Sequence, residues 1–258
     1  MKKLNMIAIG LIIVLFAGCT QQNVKQGDPS IKNIKERGKL IVGTSTSYKP
    51  MEFYTENNEI SGLDIDIAKE IASILGLPLE VKDFPVWEEL LDSVSSGEID
   101  FAISSITITP ERSKKMLFSV PYLNGGQVIV TKSEANILFP EDIMDKKVAV
   151  ISGSTSEQIA TQYVKSPDQV IPYENYDPEL NLLLNETVDA VIIDYVAAVD
   201  YVKSSSNKLK IVGEPITQEY YGAATKLGND ALMSEMNRIL RNMKTNGKLD
   251  QIQKKWVQ

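Results

Sequence analysis

The sequence predicts an α/β protein of two lobes, each built on a mainly parallel sheet covered by helices. Three observations carry this. Apolar strand-like runs alternate with helical runs twice, between residues 39 and 104 and again between 147 and 212. Two extended passages, residues 118–131 and 213–224, punctuate the second series as crossings between lobes would. Each series also delivers a strand into a hydroxyl-rich exit, Ser104-Ser105-Ile106-Thr107 in one and Ser152-Gly153-Ser154-Thr155 in the other. Strands separated by helices pair in parallel, because a hairpin cannot join parallel neighbours but a helical crossover can.

In order, residues 31–38 read as a short lead-in helix and 39–44 as the first strand, which runs out into Ser45-Thr46-Ser47. Residues 56–59 form a turn between two extended pieces. Residues 63–75 are an amphipathic helix closed by Gly76, a residue suited to the left-handed cap. Residues 79–82 are a strand, 87–96 a helix ended at Gly97, and 99–104 a third strand. A helix then starts at Thr109-Pro110-Glu111-Arg112, with threonine as N-cap and proline at the first helical position. Its free amides and positive dipole end point at the Ser104–Thr107 exit, which makes a small-anion site. Arg112 adds a planar fork suited to a carboxylate. The same residues also fit a plain turn with a surface arginine.

Residues 127–131 are an extended run preceded by Asn124-Gly125-Gly126, whose glycines would lend backbone freedom to a crossing. In the second series 147–151 is a strand, 157–165 a helix, 170–173 an edge strand, 178–185 a helix and 190–193 a strand ending in Asp194. A helix over 195–202 and a strand over 209–212 follow. Residues 230–246 form an amphipathic helix with Leu232, Met236, Ile239, Leu240 and Met243 on one face, and 248–257 end the chain. In such sheets ligands bind beyond the carboxyl ends of strands. Two facing exits would therefore enclose a small polar ligand.

The chain has 258 residues, 27 Lys and Arg against 34 Asp and Glu, one cysteine and no histidine. The acid excess argues against a nucleic-acid partner. Lack of histidine excludes a Ser-His-Asp triad and any histidine-dependent zinc site. No metal and no cofactor is expected. At the N-terminus Lys2 and Lys3 precede the apolar run 6–16, which ends in Leu15-Phe16-Ala17-Gly18-Cys19. Residues 1–18 read as a signal peptide and Cys19 as a lipidation site, resembling the lipobox of bacterial lipoproteins. An ordinary secretory signal is the alternative. Residues 19–30 are then the lipidated cysteine and a polar tether. No second apolar run is long enough to span a bilayer. The mature protein is expected outside the cytoplasm, anchored by lipid alone.

The ordered set Val42-Gly43-Thr44, Tyr48-Lys49-Pro50-Met51-Glu52-Phe53, Gly62-Leu63-Asp64-Ile65-Asp66, Gly97-Glu98-Ile99-Asp100, residues 104–112 and Gly153-Ser154-Thr155 resembles the family-3 solute-binding components of bacterial ABC importers. Each motif alone is weak; their order is specific. The resemblance implies a periplasmic-binding-protein-like fold of type II. Lobe 1 would comprise residues 31–123 and 221–258 and lobe 2 residues 127–215, with hinge crossings at 124–126 and 216–220. It implies that Arg112 holds a ligand α-carboxylate, that Ser105 and Thr107 line the ligand's main-chain part, and that Thr155 lies near the carboxylate from the opposite lobe; Ser45, Ser104 and Ser154, at the hydroxyl-rich strand exits, are the further ligand-contact candidates. Asp194 would take the α-ammonium, and Tyr48 and Trp87 would sandwich the side chain. Asp194 as a helix N-cap, and the two aromatics as ordinary core or rim residues, stay open alternatives. Asp64 and Asp66 are expected to serve helix capping and structure rather than catalysis.

One position departs from the pattern. Ser45 stands where many family members that bind basic amino acids or glutamine carry an acid; Glu52 or an acid of the second lobe could substitute, and some arginine binders of the family also lack that first-strand acid. The expected ligand is a polar or basic L-amino acid, with arginine favoured. The expected partners are an ABC permease with its cytoplasmic ATPase, and the protein itself a monomer and not an enzyme. The alternatives are a dehydratase of the same fold acting on a small carboxylic acid, or a ligand-sensing domain. A sensor would want a membrane span or signalling domain, which residues up to Gln258 do not supply.

Overall fold

A computed structural model describes residues 27–174 and 182–257. The expected signal peptide, Cys19, most of the tether and much of the helix expected over 178–185 lie outside these residues. Two five-stranded sheets dominate. The first runs Leu79–Asp83, Leu40–Thr44, Phe101–Ala102, Ala224–Lys226, Met116–Phe118. The second runs Val170–Tyr173, Val148–Ile151, Ala190–Asp194, Gln127–Lys132, Leu209–Val212.

Four strands of each sheet share one direction, and a single strand is reversed: Ala224–Lys226 in the first and Gln127–Lys132 in the second. Each reversed strand is the one by which the chain enters its lobe. Entering from between the lobes, it must run away from the cleft, and the others return toward it. The carboxyl ends of Leu40–Thr44, Phe101–Ala102, Val148–Ile151, Val170–Tyr173 and Ala190–Asp194 therefore converge on one cleft. Between the sheets Leu123–Gly125 pairs antiparallel with Glu219–Tyr221. A small sheet of Ser47–Tyr48, Glu52–Tyr54 and Ile60–Ser61 adjoins the first lobe.

The helices form where the apolar period says they should. Leu63–Leu75 buries Leu63, Ile67, Ala68 and Ile71; its N-cap position is Gly62, without a side-chain cap, and the expected caps Asp64 and Asp66 accept instead from Ser105 N and Trp256 Nε1. Asp230–Thr245 buries Leu232, Met236, Ile239, Leu240 and Met243, each such burial stabilising by about 1.5–3 kcal/mol. Lys248–Val257 packs on Leu63–Leu75 and is tied there by Trp256 Nε1 donating to Asp66 Oδ2 at 2.8 Å.

Some expectations change. The strand expected over 99–104 is paired only at Phe101–Ala102. Ser105 turns into the left-handed region at φ 48°, which ends the ladder. The helix carrying Arg112 is the single turn Pro110–Ser113, because the chain must return at once to the strand Met116–Phe118. Thr109 does cap it, accepting from Arg112 N at 3.1 Å, but one turn has almost no macrodipole. Anion affinity at this exit must come from the guanidinium. The second-lobe helix starts at Thr155, two residues earlier than expected, and ends at Tyr163. Gly125 is needed for smallness rather than freedom: a Cβ there would lie 2.2 Å from the Tyr221 hydroxyl.

Candidate functional site

The cleft between the sheets is lined by Ser45, Ser47, Tyr48, Glu52, Trp87, Ser104, Ser105, Thr107, Arg112, Ile151, Ser154, Thr155, Glu174 and Asp194. All ten residues singled out from the sequence for ligand contact line this one cleft, although they come from segments up to 149 positions apart (Ser45 to Asp194). The space open to the centre of a water-sized sphere is only about 20 Å³, room for little more than one water. The lobes stand close together around it.

Arg112 bridges the lobes. Its Nη1 donates to the Thr107 carbonyl at 3.0 Å and its Nη2 to the Gly153 carbonyl of the second lobe at 3.2 Å. The guanidinium also lies 5.4 Å from the centre of the Trp87 ring, within cation–π range. Trp87 thus backs the arginine. Tyr48 is 2 % exposed, and its hydroxyl meets that of Tyr221, so it belongs to the pocket floor.

Asp194 occupies the N-cap position of the helix Tyr195–Ser204 but makes no capping hydrogen bond with its side chain. The carboxylate instead accepts from Gln127 Nε2 at 3.0 Å and from the Tyr221 hydroxyl. Burial and the Asp194 charge beside it push the Tyr221 phenol well above its ordinary range, so it stays a donor. Thr155 Oγ1 donates to Glu219 Oε2 at 2.9 Å, and Thr107 Oγ1 donates to the same oxygen at 2.7 Å. Glu219, on the crossing strand, thereby holds one threonine of each lobe. Ser154 donates to the Ile151 carbonyl at 2.7 Å, which fixes the second exit.

Below Ser104 and Ser105 lie two buried acids. Ser104 Oγ donates to Glu52 Oε1 at 2.8 Å and accepts from Ser45 N at 3.0 Å. Ser105 N donates to Asp64 Oδ2 at 2.6 Å, and the Tyr122 hydroxyl donates to that oxygen at 2.7 Å. Burial raises the Glu52 carboxyl well above the usual range, and the neighbouring Asp64 raises it further. Burial lifts Asp64 to about 7 against the opposing pull of its Tyr122 and Ser105 donors.

Sequence reasoning did not place Gln127, Glu219 and Tyr221 at the site, and it offered Glu174 only as an unnamed second-lobe acid. Glu174 follows directly on the edge strand Val170–Tyr173, and that strand-end position is the signal that could have found it. The other three had none: they bond the lining residues from behind, Gln127 from the start of a second-sheet strand and Glu219 and Tyr221 from the crossing strand.

The family described as bacterial extracellular solute-binding proteins, family 3, matches residues 40–258. The L-cystine-binding protein TcyJ of Escherichia coli (strain K12) is 31% identical over 248 residues, covering 95% of this chain and 92% of its own. The ABC transporter glutamine-binding protein GlnH of Bacillus subtilis (strain 168) is 33% identical over 271 residues, covering 100% of this chain and 98% of its own. Among solved structures, the arginine-, lysine-, histidine-binding protein ArtJ of Geobacillus stearothermophilus superposes with a TM-score of 0.80 at 32% identity, covering 84% of this chain and 94% of that one. All three are named for the amino acids they bind. Among the described residues no helix is long and apolar enough to cross a membrane.

Proposed function

The chain belongs to the bacterial extracellular solute-binding proteins of family 3, and on that premise we propose that it captures arginine outside the cytoplasm and delivers it to an ABC permease. The observation that carries this reading is the placement of opposite charges across one cleft. Arg112 belongs to the first lobe and Asp194 to the second, with Glu174 at the rim. A zwitterionic α-carbon spans the first two: its carboxylate meets the guanidinium and its ammonium meets the aspartate. The remaining acid, Glu174, meets a cationic side chain. Trp87 and Tyr48 border the aliphatic stem.

The first lobe takes the ligand through Arg112 and the serines, and the second closes by rotation at the two crossings. Closure removes water, which strengthens every charged contact and leaves a misfit ligand with unpaired charges. Micromolar affinity needs about 8 kcal/mol net, within reach of two charge-assisted anchors and a stacked stem. A lipid on Cys19 would tether the protein to the membrane beside its permease.

Arg112→Ala should abolish arginine binding in titration calorimetry, with an unchanged far-ultraviolet circular dichroism spectrum. Near-native affinity in a folded variant would sink the assignment. Screening the standard amino acids by thermal shift identifies the ligand, because the one that closes the lobes stabilises by mass action.

A further inference from the structure

Glu52 and Asp64 are 1 % and 0 % exposed. Each carboxyl has one oxygen that is well supplied with donors. Glu52 Oε1 takes the Ser104 hydroxyl. Asp64 Oδ2 takes Ser105 N and the Tyr122 hydroxyl, with Ser105 Oγ more distant at 3.4 Å. The other two oxygens, Glu52 Oε2 and Asp64 Oδ1, are buried and receive no N–H or O–H from any other group among the described residues. The two side chains lie within hydrogen-bonding reach of one another. Two ionised carboxylates offer only acceptors and repel. Two orphaned oxygens on carboxyls in hydrogen-bonding reach of one another, in a dry interior, can be satisfied together by one shared proton.

We propose that Glu52 and Asp64 hold a single proton, carried by Glu52, and that Glu52 is consequently a neutral positioning residue of the ligand site and not a counter-ion for the ligand side chain. This rests on reading the cleft as an amino-acid site. The assignment to Glu52 follows from the donor count: the better-supplied carboxyl, Asp64, keeps the charge. Glu52 then donates to Asp64 Oδ1, and its own Oε1 commits the Ser104 hydroxyl hydrogen. With Ser45 N on one lone pair, Ser104 turns its remaining acceptor capacity to the cleft. Asp64 in turn holds Ser105 in its left-handed conformation through the amide.

The consequence for specificity is a charge count. With Glu52 neutral, the lining carries Arg112, Asp194 and Glu174, one positive against two negative charges, which matches an amino acid with a single net positive charge. An ionised Glu52 would leave a surplus negative charge buried against Asp64 from the helix Leu63–Leu75 and Asp194 from the second sheet. Tyr122 offers one donor, already committed to Asp64, and Arg112 is the positive group in the lining. Both carboxyls are raised, so the stability they contribute is complete below the ordinary carboxyl range and is lost as pH rises through the titration of the pair.

The test is Glu52→Gln, whose amide copies the protonated acid: its N–H₂ donates to Asp64 and its oxygen accepts from Ser104, and it does not titrate. The unliganded wild type should lose melting temperature from neutral to alkaline pH, and E52Q should lose markedly less. At neutral pH E52Q should bind arginine within about tenfold of wild type, a change of less than 1.4 kcal/mol. Equal pH slopes, or a loss of affinity beyond tenfold, overturns the proposal. If E52Q does not fold, the infrared spectrum of the wild type decides: a protonated-carboxyl band at neutral pH supports the shared proton, and its absence overturns it. If no amino acid binds the wild type, the functional reading falls, while the melting profiles and the infrared band still decide the proton.

Discussion

At the scale of single residues, burial separates strong contacts from weak ones. Asp194 is 7 % exposed and pinned by Gln127 and Tyr221, whereas Glu174 is exposed at the rim. Removing one partner of a buried charge pair costs about 2–5 kcal/mol, and an exposed pair is worth about 0.2–1 kcal/mol. Asp194→Asn should therefore weaken arginine binding far more than Glu174→Gln, as read by calorimetry on both variants. The reverse order would mean that Asp194 serves the hinge through Tyr221 and not the ligand. Glu174→Gln carries a second expectation. It should weaken arginine and leave a neutral side chain such as glutamine nearly unaffected, since only the cation loses a partner.

At the scale of elements, the N-terminal segment does a job its composition hides. The helix Asp230–Thr245 has Asn229 at its N-cap position with no side-chain cap. Its free amides are met from more than 200 positions away. Asp28 accepts from Ala231 N, and Ser30 Oγ accepts from Leu232 N at 3.2 Å. Burial works to raise the Asp28 carboxyl, but the amides of Ser30 and Ala231 outweigh it and hold it below its ordinary value. Asp28→Ala should cost about 1 kcal/mol, as N-cap losses do, and lower the melting temperature by about 2–4 °C. An unchanged melting curve would show that water replaces the cap without loss. The polar run 19–30 reads from sequence as a pure tether because capping at a distance leaves no periodic signal. Its last residues are in fact part of the first lobe.

At the scale of the whole molecule, the crossing strand Glu219–Tyr221 wires the two lobes together. Glu219 on one crossing strand bonds Thr107 of the first lobe and Thr155 of the second, and Tyr221 on the same strand bonds Asp194. In the proposed closure about the two crossings, the proposed ligand contacts move as a set. Arginine at a thousand times its dissociation constant should stabilise the protein by about 4.1 kcal/mol, with a smaller radius of gyration by X-ray scattering than an open reference locked by substitutions in the cleft. Stabilisation without any compaction would mean that binding does not need hinge motion. The convergence of strand ends on this cleft was legible beforehand. A strand running into clustered hydroxyls is a local pattern, and Ser104, Ser105, Thr107, Ser154 and Thr155 all belong to such runs. Glu219 and Tyr221 were not legible, since an acid and a tyrosine in an extended passage look like any loop.

What the sequence by itself determined is the alternation of elements, the strand exits and the candidates placed on them, because each follows from periodicity and neighbours a few residues apart. Tertiary structure decided which charges are real. Glu52 and Asp64 stand twelve positions apart in separate elements, and only packing brings their carboxyls together and dries the space between them. From sequence Glu52 was a possible counter-ion for a basic side chain. Within the fold, burial beside a second acid raises its carboxyl well above the ordinary range, and Glu174 becomes the proposed partner of a basic side chain. Solvation and like-charge repulsion depend on three-dimensional neighbours, and no local pattern in the chain encodes them.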